Sequence, residues 1–250
     1  MSRGLILFIT FFSVILFSQN SDIDYTTLPF KKTFAKRIDS PPKIDGLIND
    51  DVWNSAIVQS DFLQKEPYNL AKPTYKSELR ILYDDDFIYV SFNLLDPNPN
   101  KLRKPLGRRD DWGTGFGNNS DNIWFGFDTM DDNKNAFSFG VSASNIQLDA
   151  QVINSNWDIN WNAVWESEVS INDDGWSVEI KIPFSIFKFN KNKEQIWGLI
   201  AGRNLFSFQE AVMWPGEYNG IQNTVESWGV LEGLNNIPQP KSTEFYPYIL

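Results

Sequence analysis

An all-β, antiparallel β-sandwich with one or two short helical turns is the fold this sequence predicts, and three observations predict it. Apolar residues recur with period two along most of the chain, as in half-buried strands. Helical periodicity is nearly absent. Turns rich in Asn, Asp and Gly interrupt the alternation every 8 to 12 residues or so, the spacing expected of a sandwich or barrel.

The elements follow in order. ELRILY (Glu78 to Tyr83) and FIYVSFNLL (Phe87 to Leu95) form a hairpin through Asp84, Asp85 and Asp86, with Ile88, Val90, Phe92 and Leu94 on one face and Tyr89, Ser91 and Asn93 on the other. NIWFGFD (Asn122 to Asp128) groups Ile123, Phe125 and Phe127, and AFSFGV (Ala136 to Val141) groups Phe137, Phe139 and Val141. In Val164 to Ile171, Trp165, Ser167, Val169 and Ile171 oppose Glu166, Glu168 and Ser170. An Asn172-Asp173-Asp174-Gly175 turn leads into WSVEIKI (Trp176 to Ile182), which stops at Pro183 because proline cannot donate to a ladder. Ile196 to Arg203 and Val225 to Leu231 add two more strands. The helical turns fall at Asp50 to Ile57 and Phe184 to Phe187. In KIDGLINDDVW (Lys43 to Trp53), Asp45-Gly46 makes a turn, Asn49 or Asp50 caps the following helical turn, and Trp53 plugs one end of the sandwich.

Composition restricts the chemistry. With 42% hydrophobic and 15% aromatic residues, 250 residues suffice for a substantial core. The absence of Cys and His excludes disulfides, thiolate nucleophiles, His-based triads and the usual zinc sites. A formal charge of −10 opposes phosphate backbones, so nucleic acid is not an expected partner. Residues 1–19 carry Arg3 and a largely apolar stretch from Leu5 to Phe17, the pattern of a secretory signal peptide. Residues 20–37 form a polar lead-in, 38–234 the sandwich, and 235–250 a linker with the start of a further β-rich domain.

The opening motif, KIDGLINDDVW, resembles the I-D-G-x-L-x-[DE]-x-x-W pattern that begins family 9 carbohydrate-binding modules. The likeness continues in order through ELRILYDDDFIYVSFNLLD, Arg108 to Val152, WNAVWES, DGWSVEIKIPFSIFKF, WGLIAGRNLF and ESWGVLEGL. The nearest subtype stands at the N-terminus of large outer-membrane proteins of Bacteroidota, and PQPKSTEFYPYIL is similar to the junction there. The resemblance implies a sandwich related to DOMON-like folds, non-catalytic binding of a polysaccharide or oligosaccharide, and association with xylan-degrading glycoside hydrolases. It also implies export to the periplasm, cell surface or outer membrane of a Gram-negative bacterium, with a C-terminal β-rich or outer-membrane domain as partner. The alternative is a structural or interaction domain of an outer-membrane barrel protein with a degenerate sugar site.

A sugar site needs accessible aromatic faces ringed by planar polar groups. Of ten tryptophans, strand parity assigns Trp165 and Trp176 to the core, whereas Trp112, Trp157, Trp161 and Trp214 stand in polar, loop-like contexts and are the stacking candidates. Arg109, Asp149, Gln151 and Arg203 are the polar candidates; Asp149 and Gln151 share one face of IQLDAQV, and Arg203 serves either a ligand or an ion pair with a loop carboxylate. Asp128, Asp131, Asp132 and Asn133 crowd one turn with hard oxygen ligands, and members of the resembled family carry structural calcium, so these four are the candidate metal ligands. No other cofactor is required. Glu166 and Glu168 could stand a glycosidase-like distance apart, but pairs of this kind are common on solvated sheet faces, and no catalytic residue is assigned.

Overall fold

Fourteen strands occur among the described residues. In a computed structural model that describes residues 31–113, 116, 119–154, 156–215 and 224–239, they are β1 (Lys32–Phe34), β2 (Lys36–Arg37), β3 (Leu63–Glu66), β4 (Ser77–Tyr83), β5 (Phe87–Leu95), β6 (Asn122–Asp128), β7 (Ala136–Ser142), β8 (Gln147–Ile153), β9 (Asn156–Asp158), β10 (Glu166–Asn172), β11 (Gly175–Pro183), β12 (Glu194–Leu205), β13 (Glu210–Trp214) and β14 (Gly229–Asn235). The expected signal peptide, most of the lead-in and residues 240–250 lie outside the described residues.

The strands form two sheets. The larger runs β1-β14-β12-β6-β7-β8-β9, with β13 and β3 attached beside β12; the smaller runs β10-β11-β5-β4-β2. Pairing is antiparallel except at two short edges, β1 with β14 and β2 with β4, which are parallel. The facing surfaces interlock as parity requires. Phe92 of β5 meets Phe125 of β6 with ring centroids 5.9 Å apart, Phe125 stacks on Phe139 at 5.5 Å, and Phe127 meets Trp197 edge-on at 5.7 Å. Trp165 and Trp176 join this core, as alternation along their strands demands. Burying a large aromatic side chain contributes about 2–3 kcal/mol, and this interior carries more than a dozen such rings, enough to hold two sheets together without disulfides.

Both outer faces are covered in part. Over the smaller sheet, Lys43 to Trp53 lies flat rather than plugging an end of the sandwich, and its Trp53 packs with Ile38, Ala56, Leu82 and Tyr89. The helical turn is a 3₁₀ turn, Asp51–Ser55, and its cap differs from expectation. Asp50 makes no side-chain bond to the turn and instead accepts from the Lys43 amide at 2.8 Å. The ordering group is Glu179 on β11, fully buried. Its carboxylate accepts the amides of Asp45 and Gly46, each at 2.9 Å, and Trp53 Nε1 at 2.8 Å. Gly46 is required here: at φ +82° it lies so close that a Cβ would stand 2.6 Å from the Val169 carbonyl carbon.

The strand expected at Val225 begins later, because Val225–Ser227 forms a 3₁₀ turn that lays Trp228 over β6, where a Cβ on Gly126 would come within 2.6 Å of the ring. Glycine recurs on this outer face of the larger sheet. In register, Trp124 of β6 is flanked by Gly140 of β7 and Gly202 of β12, so its indole can lie across its neighbour with no side chain beneath it.

Candidate functional site: an aromatic groove on the larger sheet

The glycines create relief. Phe116 lies over Gly140, where a Cβ would stand 2.5 Å from its Cζ, and Trp124 lies over Gly202 at the same separation. Around them opens a groove of about 230 Å³ whose walls include Trp112, Phe116, Trp124, Leu148 and Trp157, with Ser138 and Asn204 as polar groups. Trp112 meets Phe116 edge-on with centroids 6.4 Å apart. Two indoles remain accessible, Trp112 at 37% and Trp157 at 45%. Trp157 belongs to the edge strand β9 and is in register with Val152 of β8, which places both on the outer face. An exposed edge indole is not required by packing, since burial would stabilise it by about 2–3 kcal/mol.

Of the polar candidates only Asp149 borders the groove, and its side chain is turned to the other side of the sheet. Gln147, Asp149 and Gln151 of β8 pair in register with Val141, Phe139 and Phe137, so their side chains lie on the inner side of the sheet edge, opposite to Trp157. Asp149 is buried; it accepts from Trp165 Nε1 at 2.7 Å and from Arg109, and burial pushes its pKa up against the pull of that tryptophan and of the arginine charge. Arg109 also donates to Gln147, to the Ala163 carbonyl at 2.8 Å and to Asn162 Oδ1 at 3.3 Å, with its guanidinium 5.3 Å from the Trp165 ring. Trp161 packs on the same inner side, 5.2 Å from Phe137 and 6.2 Å from Phe139. The sheet itself therefore separates Trp112 and Trp157 from Trp161, Arg109 and the side chains of Asp149 and Gln151.

Two expectations are corrected outright. Trp214 is not in a loop: Glu210 to Trp214 forms β13, paired with β12 and β3, and its alternation turns Val212 and Trp214 into the core with no exposure. Arg203 is also fully buried, on the inner face of β12, and it links the sheets by donating to the Leu95 carbonyl at 3.1 Å and to the Lys76 carbonyl and Ser77 Oγ at 3.4 Å each. It makes no ion pair among the described residues; burial pushes its pKa down to about 10, while Asp121, Asp96 and Glu210 oppose that drop. Neither residue presents a surface to a ligand.

The turn after β6 engages two of the four candidate calcium ligands, Asp128 and Asp132, in its own hydrogen bonds. Asp128 is buried, and its oxygens accept the amides of Met130 at 3.1 Å, Asp132 at 3.4 Å and Asn133 at 2.8 Å. Asp132 accepts from the Lys134 amide, from the Asn135 amide and from Asn135 Nδ2. Asp131 and Asn133 take left-handed backbone conformations, as tight Asx turns allow. These carboxylates are used to fold their own hairpin, and among the described residues no three acidic side chains converge as metal ligands. Glu166 and Glu168 stand exposed on the edge strand β10, away from the groove, and Glu166 pairs with Lys181 at 3.2 Å.

Comparisons with known proteins agree with this architecture. Two solved structures of a family 9 carbohydrate-binding module from Caldicellulosiruptor kristjanssonii, one in complex with glucose and one with cellotriose, superpose with TM-scores of 0.58 and 0.57 at 16% identity, each covering 87% of this chain and 100% of the module. A candidate carbohydrate-binding protein from Bacteroides uniformis superposes with a TM-score of 0.64 at 11% identity, over 82% of this chain and 100% of that one. A search of curated protein sequences returns no match. The family model described as carbohydrate family 9 binding domain-like matches residues 44–204, more than half of the chain, and with its two-sheet fold the chain belongs to that family.

Proposed function

We propose that this chain is a non-catalytic glycan-binding module whose outer-face groove receives a sugar ring against Trp112 and Trp157. The observation that carries the reading is the pair of accessible indoles beside a trench cut by Gly140 and Gly202. A pyranose offers a C–H patch to an aromatic face and hydroxyls at its rim, and a mostly apolar trench with Ser138 and Asn204 nearby matches that division. Membership of the family supports it, as do the glucose and cellotriose complexes of the Caldicellulosiruptor module.

On this reading the target is a xylan-like or related β-glycan, and the module brings a fused or neighbouring glycoside hydrolase or outer-membrane protein to its polymer in carbohydrate catabolism. The signal-peptide pattern of residues 1–19 supports export of such a module to the periplasm or cell surface. Retention of the chain in affinity gels containing xylan or soluble cellulose, together with calorimetric titration of cellotriose and xylotriose, tests the proposal. Binding to at least one of these glycans is expected, and replacing Trp112 or Trp157 with Ala is expected to weaken it about tenfold or more. Unchanged retention in the double alanine variant would overturn it.

A further inference from the structure

We infer that Arg109 sets the separation of the two groove tryptophans, acting as a positioning residue rather than as a ligand contact. The inference rests on the reading that Trp112 and Trp157 form the sugar site. Trp112 lies three residues after Arg109, on a segment outside the strands. Trp157 lies on β9, a three-residue edge strand, and the chain then runs through residues 159–163 back toward Trp165. Neither indole is fixed by a continuous ladder on both sides.

Arg109 grips both segments at once. The terminal nitrogens of its fork donate to the side chains of Gln147 and Asp149 on β8, the strand that carries β9. Its Nε reaches Asn162 Oδ1, and one terminal nitrogen also reaches the Ala163 carbonyl, both in the stretch that follows Trp157. The backbone beside Arg109 reinforces the first grip: the Asp110 amide donates to the Gln147 carbonyl at 3.0 Å, and Asp110 Oδ1 accepts the Asp149 amide at 3.3 Å. Asp149 makes the grip selective. It is buried and Arg109 is its ion-pair partner, so releasing Arg109 would leave a buried carboxylate still bonded to Trp165 Nε1 but without its counter-charge. The guanidinium over Trp165 adds a cation–π contact to the same anchor.

The test uses the chain labelled with fluorotryptophan, observed by fluorine NMR with and without cellotriose, alongside calorimetric titration. In Arg109→Ala the resonances of Trp112 and Trp157 are expected to shift or broaden before any sugar is added, while those of Trp53, Trp197 and Trp214 stay in place; affinity should fall about tenfold. Arg109→Lys keeps the charge but not the fork and should recover only part of that loss. Wild-type resonances for Trp112 and Trp157 together with unchanged affinity in Arg109→Ala would overturn the inference. If Arg109→Ala unfolds, Arg109→Lys takes its place, since one ammonium cannot reach Gln147, Asp149, Asn162 and the Ala163 carbonyl together, and unmoved Trp112 and Trp157 resonances with unchanged affinity there would overturn it equally. Should the wild-type chain bind no glycan, the functional reading fails on its own, and the sugar-free resonances still decide the positioning role.

Discussion

Replacing Glu179 with Ala should cost a large part of the stability of the fold while leaving the groove intact. The carboxylate is fully buried on the outer face of the smaller sheet and accepts three donors, of which the Gly46 amide and Trp53 Nε1 are themselves buried. Truncation strands both donors at about 1–3 kcal/mol each, so the gross loss is about 2–6 kcal/mol. Removing a buried charge returns some of this, because burial is also what pushes the pKa of Glu179 up. A net loss of about 2–4 kcal/mol is expected, against a typical total of about 5–15 kcal/mol. Glu179→Gln should cost less: its carbonyl still accepts the Asp45 and Gly46 amides, but its NH₂ then faces the indole N–H. Urea unfolding followed by tryptophan fluorescence measures both, with the midpoint falling and the slope unchanged. A loss below about 1 kcal/mol in the alanine variant would show that the opening segment is held by apolar contact alone and would refute the role given to this carboxylate.

Further outcomes follow from other sites. Gly140→Ala places a methyl group against Phe116, so it should cost about 1–3 kcal/mol in urea unfolding and also weaken sugar binding, because the floor of the groove must move. Arg203→Met should destabilise by about 1–3 kcal/mol, since the Leu95 carbonyl loses the Arg203 donor while the Lys76 carbonyl keeps the Leu95 amide; unfolding near the wild-type midpoint would show that water replaces it. The pH response of Glu179 has a definite sign. Its folded pKa is raised above the ordinary 4.5, so the folded state holds its proton longer than the unfolded chain, and its contribution to stability is present below 4.5 and lost as pH rises through the folded value. Measured as the difference in unfolding free energy between wild type and Glu179→Gln, stability should therefore fall as pH rises from about 4 toward neutrality.

Much of the fold is legible because period-two alternation reports directly which face is buried. The Asp84 turn shows how local the information is: one carboxylate oxygen accepts the Asp86 and Phe87 amides at 2.8 Å each, closing the hairpin within four residues. The same parity places Trp165 and Trp176 correctly. Short edge strands are not legible, since β1, β2 and β9 are too brief to show a period. Trp214 escapes the pattern although Val212 and Trp214 alternate within EAVMW, because the neighbouring Trp-Pro-Gly reads as a turn. Arg203 continues the inward series Trp197, Leu199, Ala201, and its charge hides a parity that is otherwise plain. Glu179 cannot be found at all from its strand. Its partners lie more than 120 residues earlier, and nothing in WSVEIKI announces a buried anion on the outer face.

The candidate site follows the same division. Trp112 and Trp157 are legible as tryptophans outside apolar strands, yet the side chains of Arg109 and Asp149, expected beside them, lie across the sheet, where they bond to each other. What shapes the groove is the lack of side chains at Gly140 and Gly202. An ordinary strand residue at either position would lift Phe116 or Trp124 off the sheet and fill the trench, leaving the two exposed indoles with no concave surface between them. The capacity to seat a ring-shaped ligand is therefore written in two strand glycines, positions that cost the sheet propensity and that nothing in the packing of the inner core requires.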